Sequence, residues 1–194
     1  MTLAPAQPLR APFPYFGGKS RAASLIWERL GDTPNYVEPF AGSLAVLLAR
    51  PHAPQIETVN DLDGLLVNFW RAVAADPDAV AMHADWPVTE LDLTARHAHL
   101  VEARANLTTR LEADATHYDA LLAGWWVWGA CAWIGSGWCS GDGPWRVIDG
   151  ELRKLPHLGD AGRGINRQLP HLGNAGQGHI RETMRALSHR LRRT

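Results

Sequence analysis

Two β-prone runs alternate with two helical ones between residues 36 and 75. The first, YVEPF (36–40), passes through a small-residue turn into the apolar run SLAVLLA (43–49), which Pro51 stops. The second, IETVN (56–60), alternates as a strand does, ends at Asp61 and leads into DGLLVNFWRAVAA (63–75). A strand–helix–strand–helix series at this spacing reads as a parallel α/β sheet. Ahead of it, SRAASLIWERL (20–30) is predicted to be an amphipathic helix with Leu25, Ile26 and Leu30 on one side, ended by GDTPN.

From Asp76 the pattern changes. DPDAVAMHADW (76–86), TELDLTARHAHLVEARANLTTRLEA (89–113) and HYDALLAGWWVWGACAWIG (117–135) read as helices without a strand signal. Ala120 to Gly141 carries no charge and is long enough for a membrane span, but its five Trp and the loop-like GSGWCSG point to a buried helix followed by a loop. LPHLGDAGRG (155–164) returns as LPHLGNAGQG (169–178), two copies where a solenoid needs about three; they read as paired loops. HIRETMRALSHRLRR (179–193) places Ile180, Met184, Leu187 and Leu191 on one helical stripe. The chain thus divides into an extended Pro-rich arm (1–12), an α/β part (13–75), a helical insert (76–150) and Gly-rich loops with a basic helix (151–194).

Charge follows this division. Between Glu151 and Thr194 stand nine Lys/Arg against three Asp/Glu, although the whole chain is near neutral. Such a tail is either a basic face for a polyanion or a solvated amphipathic helix. Cys131 and Cys139 make neither a disulfide framework nor a zinc pattern, and no metal site is expected. No basic-then-apolar leader opens the sequence, so a cytoplasmic protein without a membrane span is expected.

A tight turn between a strand and a helix is where α/β folds bind ligands. Gly42 lets the backbone approach a ligand, and a helix N-terminus offers N–H groups. Asp61 stands 23 residues after Glu38, near the spacing of about 20 at which an acidic residue meets ribose hydroxyls. G-x-G-x-x-G is absent, and Glu38 is ill-suited to a pyrophosphate. A cationic nucleoside without phosphates, such as S-adenosylmethionine (SAM), fits better. FGGKS fails as a P-loop, because Phe13 stands where its first glycine is required.

PYFGGKS, YVEPFAGSLAVLL and ETVNDLDGLLVNFWRAV together resemble the N-terminal motifs of Dam-type (class D12) adenine-N(6) DNA methyltransferases, in family order and spacing over residues 13–73. The resemblance is weaker over 74–150 and compositional thereafter. It implies a SAM-dependent methyltransferase (Rossmann-like) parallel sheet, partial here, with a mainly helical target-recognition insert. By match, Tyr15 packs near the adenine of SAM (family members often carry Trp there) and Lys19 contacts the cofactor end. Glu38 to Ser43, including Phe40 and Gly42, form the methionine-side turn. Glu38 meets the cationic half of SAM and Asp61 the ribose, with Asp63 as its neighbour. The Trp/Gly segment after 120 is either a surface for a displaced base or the core of the insert. Arg163, Arg167, Arg181 and Arg185 are the expected contacts to double-stranded DNA.

The resemblance implies methyl transfer from SAM to the exocyclic amine of adenine in DNA, as in DNA methylation and restriction–modification. The family's Asp/Asn/Ser-Pro-Pro-Tyr/Phe motif, which accepts the amine's N–H bonds and stacks the flipped base, is absent, since no two prolines are adjacent. No catalytic residue is therefore assigned, and weak or no activity is expected of the chain alone. It is read as part of a longer enzyme, as half of a split enzyme whose second chain supplies the motif, or as a non-enzymatic SAM- or nucleic-acid-binding module.

Overall fold

The computed structural model describes residues 8–15, 17–133, 138–139, 145–148, 151–154 and 179–192. Its elements run α1 (Ala23–Leu30), β1 (Asn35–Glu38), α2 (Ala45–Leu48), β2 (Ile56–Val59), α3 (Gly64–Ala75), α4 (Pro77–Ala84), α5 (Glu90–Ala113), α6 (Ala120–Ala132), β3 (Trp145–Ile148), β4 (Glu151–Lys154) and α7 (His179–Leu191). Strands β1 and β2 pair in parallel, with Val37 opposite Thr58 and Glu38 opposite Val59. The β1–α2–β2–α3 series of the sequence is therefore present as a small parallel sheet joined to many helices.

Helix termini follow ordinary capping chemistry. Asp63, Asp76, Thr89 and Asp119 each place a side-chain oxygen on an N–H of the first turn of α3, α4, α5 and α6 respectively. The core is shared between the α/β part and the insert. Leu65, Leu66, Phe69 and Val73 of α3 meet Val80 of α4, Leu100 of α5 and Val127 and Trp128 of α6, all buried. Helix α6 lacks charge because it is enclosed by α3, α4 and α5. Its 13 residues span about 20 Å, short of a bilayer's hydrocarbon core. No described helix is long and apolar enough to cross a membrane.

Among the insert's tryptophans, Trp126 and Trp128 are core and Trp125 and Trp138 pack against it, while Trp86 is exposed and the buried Trp133 indole N–H has no hydrogen-bond partner among the described residues. Trp128 Nε1 donates to the Trp86 carbonyl (2.8 Å) and Trp138 Nε1 to that of Trp126 (2.9 Å). Trp138 lies against Gly129, where any Cβ would collide with its ring. Arg96 is buried among three of them, its guanidinium carbon 4.3 Å from the Trp128 ring centre, 5.2 Å from Trp125 and 5.5 Å from Trp86.

Three expectations change. Helix α1 begins at Ala23, and its buried face is Ala23 and Trp27; Leu25 and Leu30 are exposed. Trp27 wins that face because its ring packs on Tyr36 (4.9 Å) and its N–H reaches the Val46 carbonyl (2.6 Å). Helix α2 is one turn long, because Gly42 and Leu44 before it are left-handed (φ 50° and 52°) and Pro51 follows. The antiparallel pair β3–β4 straddles the expected boundary between the helical insert (76–150) and the Gly-rich loops (151–194), where no strand was expected. WRVI and ELRK flank an Asp-Gly dipeptide, the strongest short hairpin signal, which the abundance of glycine nearby obscured.

The tail helix keeps its stripe: Ile180, Met184 and Leu187 are buried and Leu191 packs on the core. Helix α7 lies against α3 and α4. Most of its described arginines serve that packing. Arg190 makes two bonds to the Glu57 carboxylate (2.8 and 2.7 Å), and Arg192 donates to the Ala74 and Ala75 carbonyls at the end of α3. The 14-residue repeat lies outside the described residues.

Candidate functional site

The carboxyl ends of β1 and β2 bring distant parts of the chain together. Strand alternation turns Tyr36 and Glu38 inward, and the Tyr36 hydroxyl donates to Glu38 Oε2 (3.1 Å). Burial, then the charge of Glu38 and the bond to it, raise the Tyr36 phenol well above its usual value, so it remains a donor. Glu38 is 3 % exposed. Its other oxygen, Oε1, lies 2.7 Å from Lys19 Nζ, which donates to the Phe40 carbonyl at 2.7 Å. The ammonium is close enough for an ion pair but out of line for a hydrogen bond to Oε1, which has no hydrogen-bond partner among the described residues.

Two strand-end crossings fix the turn. Asn60 N–H donates to the Glu38 carbonyl and Ala41 N–H to that of Asn60. Gly42 N–H donates to Asp61 Oδ2 (2.9 Å), while Asp61 Oδ1 accepts from Asp63 N–H (3.1 Å). Trp70 of α3 holds the Gly42 carbonyl from the other side (2.9 Å). Gly42 is required twice over: its φ is +50°, and a Cβ would stand 2.8 Å from Tyr15 Cε1. Tyr15 therefore lies directly on the turn, half-exposed. Burial, then the nearby Asp61 and Asp63 carboxylates, raise its phenol, with Arg104 opposing. Phe13 behind it is core, edge-on to Phe69 and Trp126.

Tyr15, Lys19, Glu38, Gly42 and Asp61 thus share one place, although only local spacing links them in sequence. Phe40 joins through its carbonyl; the residue is 79 % exposed. Helix α2 is a single turn, and the Gly42 N–H ahead of it is taken by Asp61. Each Asp61 oxygen retains lone-pair capacity beyond its backbone bond. Arg185 forms a two-bond fork with Asp78 (2.8 and 2.9 Å), which holds the Asp78 carboxyl below its usual value. Arg181 is exposed on the same helix. Arg163 and Arg167 lie outside the described residues. No cluster among the described residues could hold a metal ion.

Three supporting residues were not singled out from the sequence. Tyr36 was legible, since it sits two residues before Glu38 and a strand puts both on one face. Trp70 and Arg104 had no local signal. Arg104 reaches from α5 to Asp63 Oδ1 (3.3 Å) and donates to the Cys139 carbonyl (2.8 Å), tying the site's loop to the Trp-rich segment.

A small parallel β–α–β unit with an acidic, aromatic-lined turn at its strand ends is joined here to a helical region. The chain belongs to the D12 class of N6 adenine-specific DNA methyltransferases, whose family model matches residues 15–116, more than half of its length. No curated protein and no solved structure matches it. The family match covers every residue of the strand-end cluster.

Proposed function

We propose that the strand-end cluster is a SAM pocket and that the chain serves methyl transfer from SAM to the exocyclic amine of adenine in DNA. The observation that carries this reading is the convergence of Tyr15, Lys19, Glu38, Gly42 and Asp61 at the ends of two parallel strands, in a chain of a DNA adenine methyltransferase family. SAM supplies an activated methyl group when bound. Glu38 offers a buried carboxylate to its cationic half, Asp61 has acceptor capacity for ribose hydroxyls, and Tyr15 presents a ring face for adenine. Lys19 stands at the cofactor end. The partial sheet is compatible with a Rossmann-like methyltransferase core, and the helical insert is read as the part that meets DNA.

Adjacent prolines are absent, so these residues lack the family's group for polarising and stacking the target base. The chain alone is accordingly expected to transfer methyl groups weakly or not at all. A methyl-transfer assay with labelled SAM and DNA checks this, and turnover at an ordinary enzyme rate would contradict it. For the pocket itself, calorimetry is expected to show SAM binding that Asp61→Ala weakens by about tenfold or more, the scale of losing hydrogen bonds to a charged group. Undiminished binding by the folded variant, compared by thermal unfolding, counts against it.

A further inference from the structure

We propose that Lys19 is a built-in counter-ion that occupies the cation subsite at Glu38 and is displaced by the ligand, so that the pocket selects a positively charged nucleoside. This rests on the reading of the strand ends as a SAM pocket and adds how that pocket discriminates by charge.

A buried carboxylate requires a compensating charge. The Glu38 side chain is 4 % exposed, and Lys19 is the cation against it, at 2.7 Å. The two partners differ in how firmly they are held. Glu38 is fixed: it ends β1, its carbonyl accepts from Asn60, and Tyr36 donates to Oε2. Lys19 is 37 % exposed at its side chain and follows Gly17 and Gly18 in a turn. Gly17 has φ +72° and open space around it. A long flexible stem with a strongly hydrated head leaves for water readily. The carboxylate oxygen facing Lys19 is held by that 2.7 Å charge contact alone, so a ligand cation would replace one contact there.

Charge replacement then sets the selectivity. A ligand cation can take over at Glu38 while Lys19 moves into solvent. A neutral ligand cannot, because displacing Lys19 would leave Glu38 buried and uncompensated. The Phe40 carbonyl, which accepts from Lys19, is freed in the same step.

The sequence contains two lysines, Lys19 and Lys154. Labelling lysine with ¹³C at Cε therefore gives two signals, and Lys19→Gln assigns them. Saturating the full chain with SAM is expected to move the Lys19 signal to the position of a solvent-exposed lysine. Adenosine, which has base and ribose but no cation, is expected to leave it in place. By calorimetry Lys19→Gln, which retains a donor for Phe40 without the charge, is expected to bind SAM about two- to fivefold tighter, the scale of relieving one partly exposed ion pair. SAM that binds without moving the Lys19 signal, adenosine that moves it, or weaker SAM binding by folded Lys19→Gln overturns the displacement and leaves the pocket standing. Absence of SAM binding by folded wild type and variant alike removes both.

Discussion

At the scale of a single residue, His97 shows how packing sets a side chain's chemistry. Its ring is stacked on Trp133 (4.7 Å, 12°), tilted against Trp138, and 3.9 Å from the Cys139 thiol. Burial lowers its pKa below the ordinary value, so the folded protein favours the neutral ring. The unfolded chain takes up that proton first as pH falls. Stability is therefore fully present above about pH 6.5 and is lost as pH falls below that value toward the folded pKa. Urea unfolding from pH 8 to 5.5 is expected to show this decline, with His97→Gln reducing it by at most about 1.4 kcal/mol per pH unit. Equal slopes for the two proteins would assign the decline to other groups. In the sequence His97 is one of nine histidines, and nothing local marks it, because the rings that bury it lie 36 and 41 positions downstream.

At the scale of elements, β2 and α7 are joined by charges that patterning alone leaves unpaired. Glu57 accepts from Arg190 and, at 3.1 Å, from Arg50; the Arg50 and Glu57 side chains are 0 % and 1 % exposed. Arg50 also reaches the Thr33 carbonyl and Asp32, and its guanidinium carbon lies 5.1 Å from the Trp27 ring centre. Removing Glu57 leaves two buried arginines without their shared carboxylate. Glu57→Gln is expected to destabilise by roughly 3–5 kcal/mol in denaturant unfolding, the cost of breaking a buried pair from one side. Alternation in IETVN made β2 legible as a strand. It did not reveal that Glu57 faces arginines from two other elements, because period-two patterning gives a face and never a partner.

At the scale of the whole molecule, the division of the chain into segments gives way to a shared core. Ile180, Met184 and Leu187 of α7 are as buried as the residues of α3. Deleting residues 179–194 is therefore expected to lower stability by on the order of 5 kcal/mol, from the apolar surface of α3 and α4 that three buried side chains no longer cover. Thermal unfolding of the shortened chain reads this, and an unchanged midpoint would show that α7 is dispensable. The deletion removes packing together with charge, so it cannot by itself test a basic face for DNA.

The sequence alone determined the parallel β–α–β series, the helical character of 76–132, the stripe of α7 and the motif set that marks the family. Each is written in short-range spacing, where the period of a strand or helix and the chemistry of a turn act within a few residues. Only the tertiary structure decided that Lys19 closes on Glu38, that Asp61 holds the Gly42 N–H, that Arg104 joins the site to the insert, and that Arg190 of α7 turns inward to Glu57. Those contacts join residues 19 to 133 positions apart. Which side chains meet over such separations depends on how the helices pack and which charges that packing buries, and local propensity carries neither.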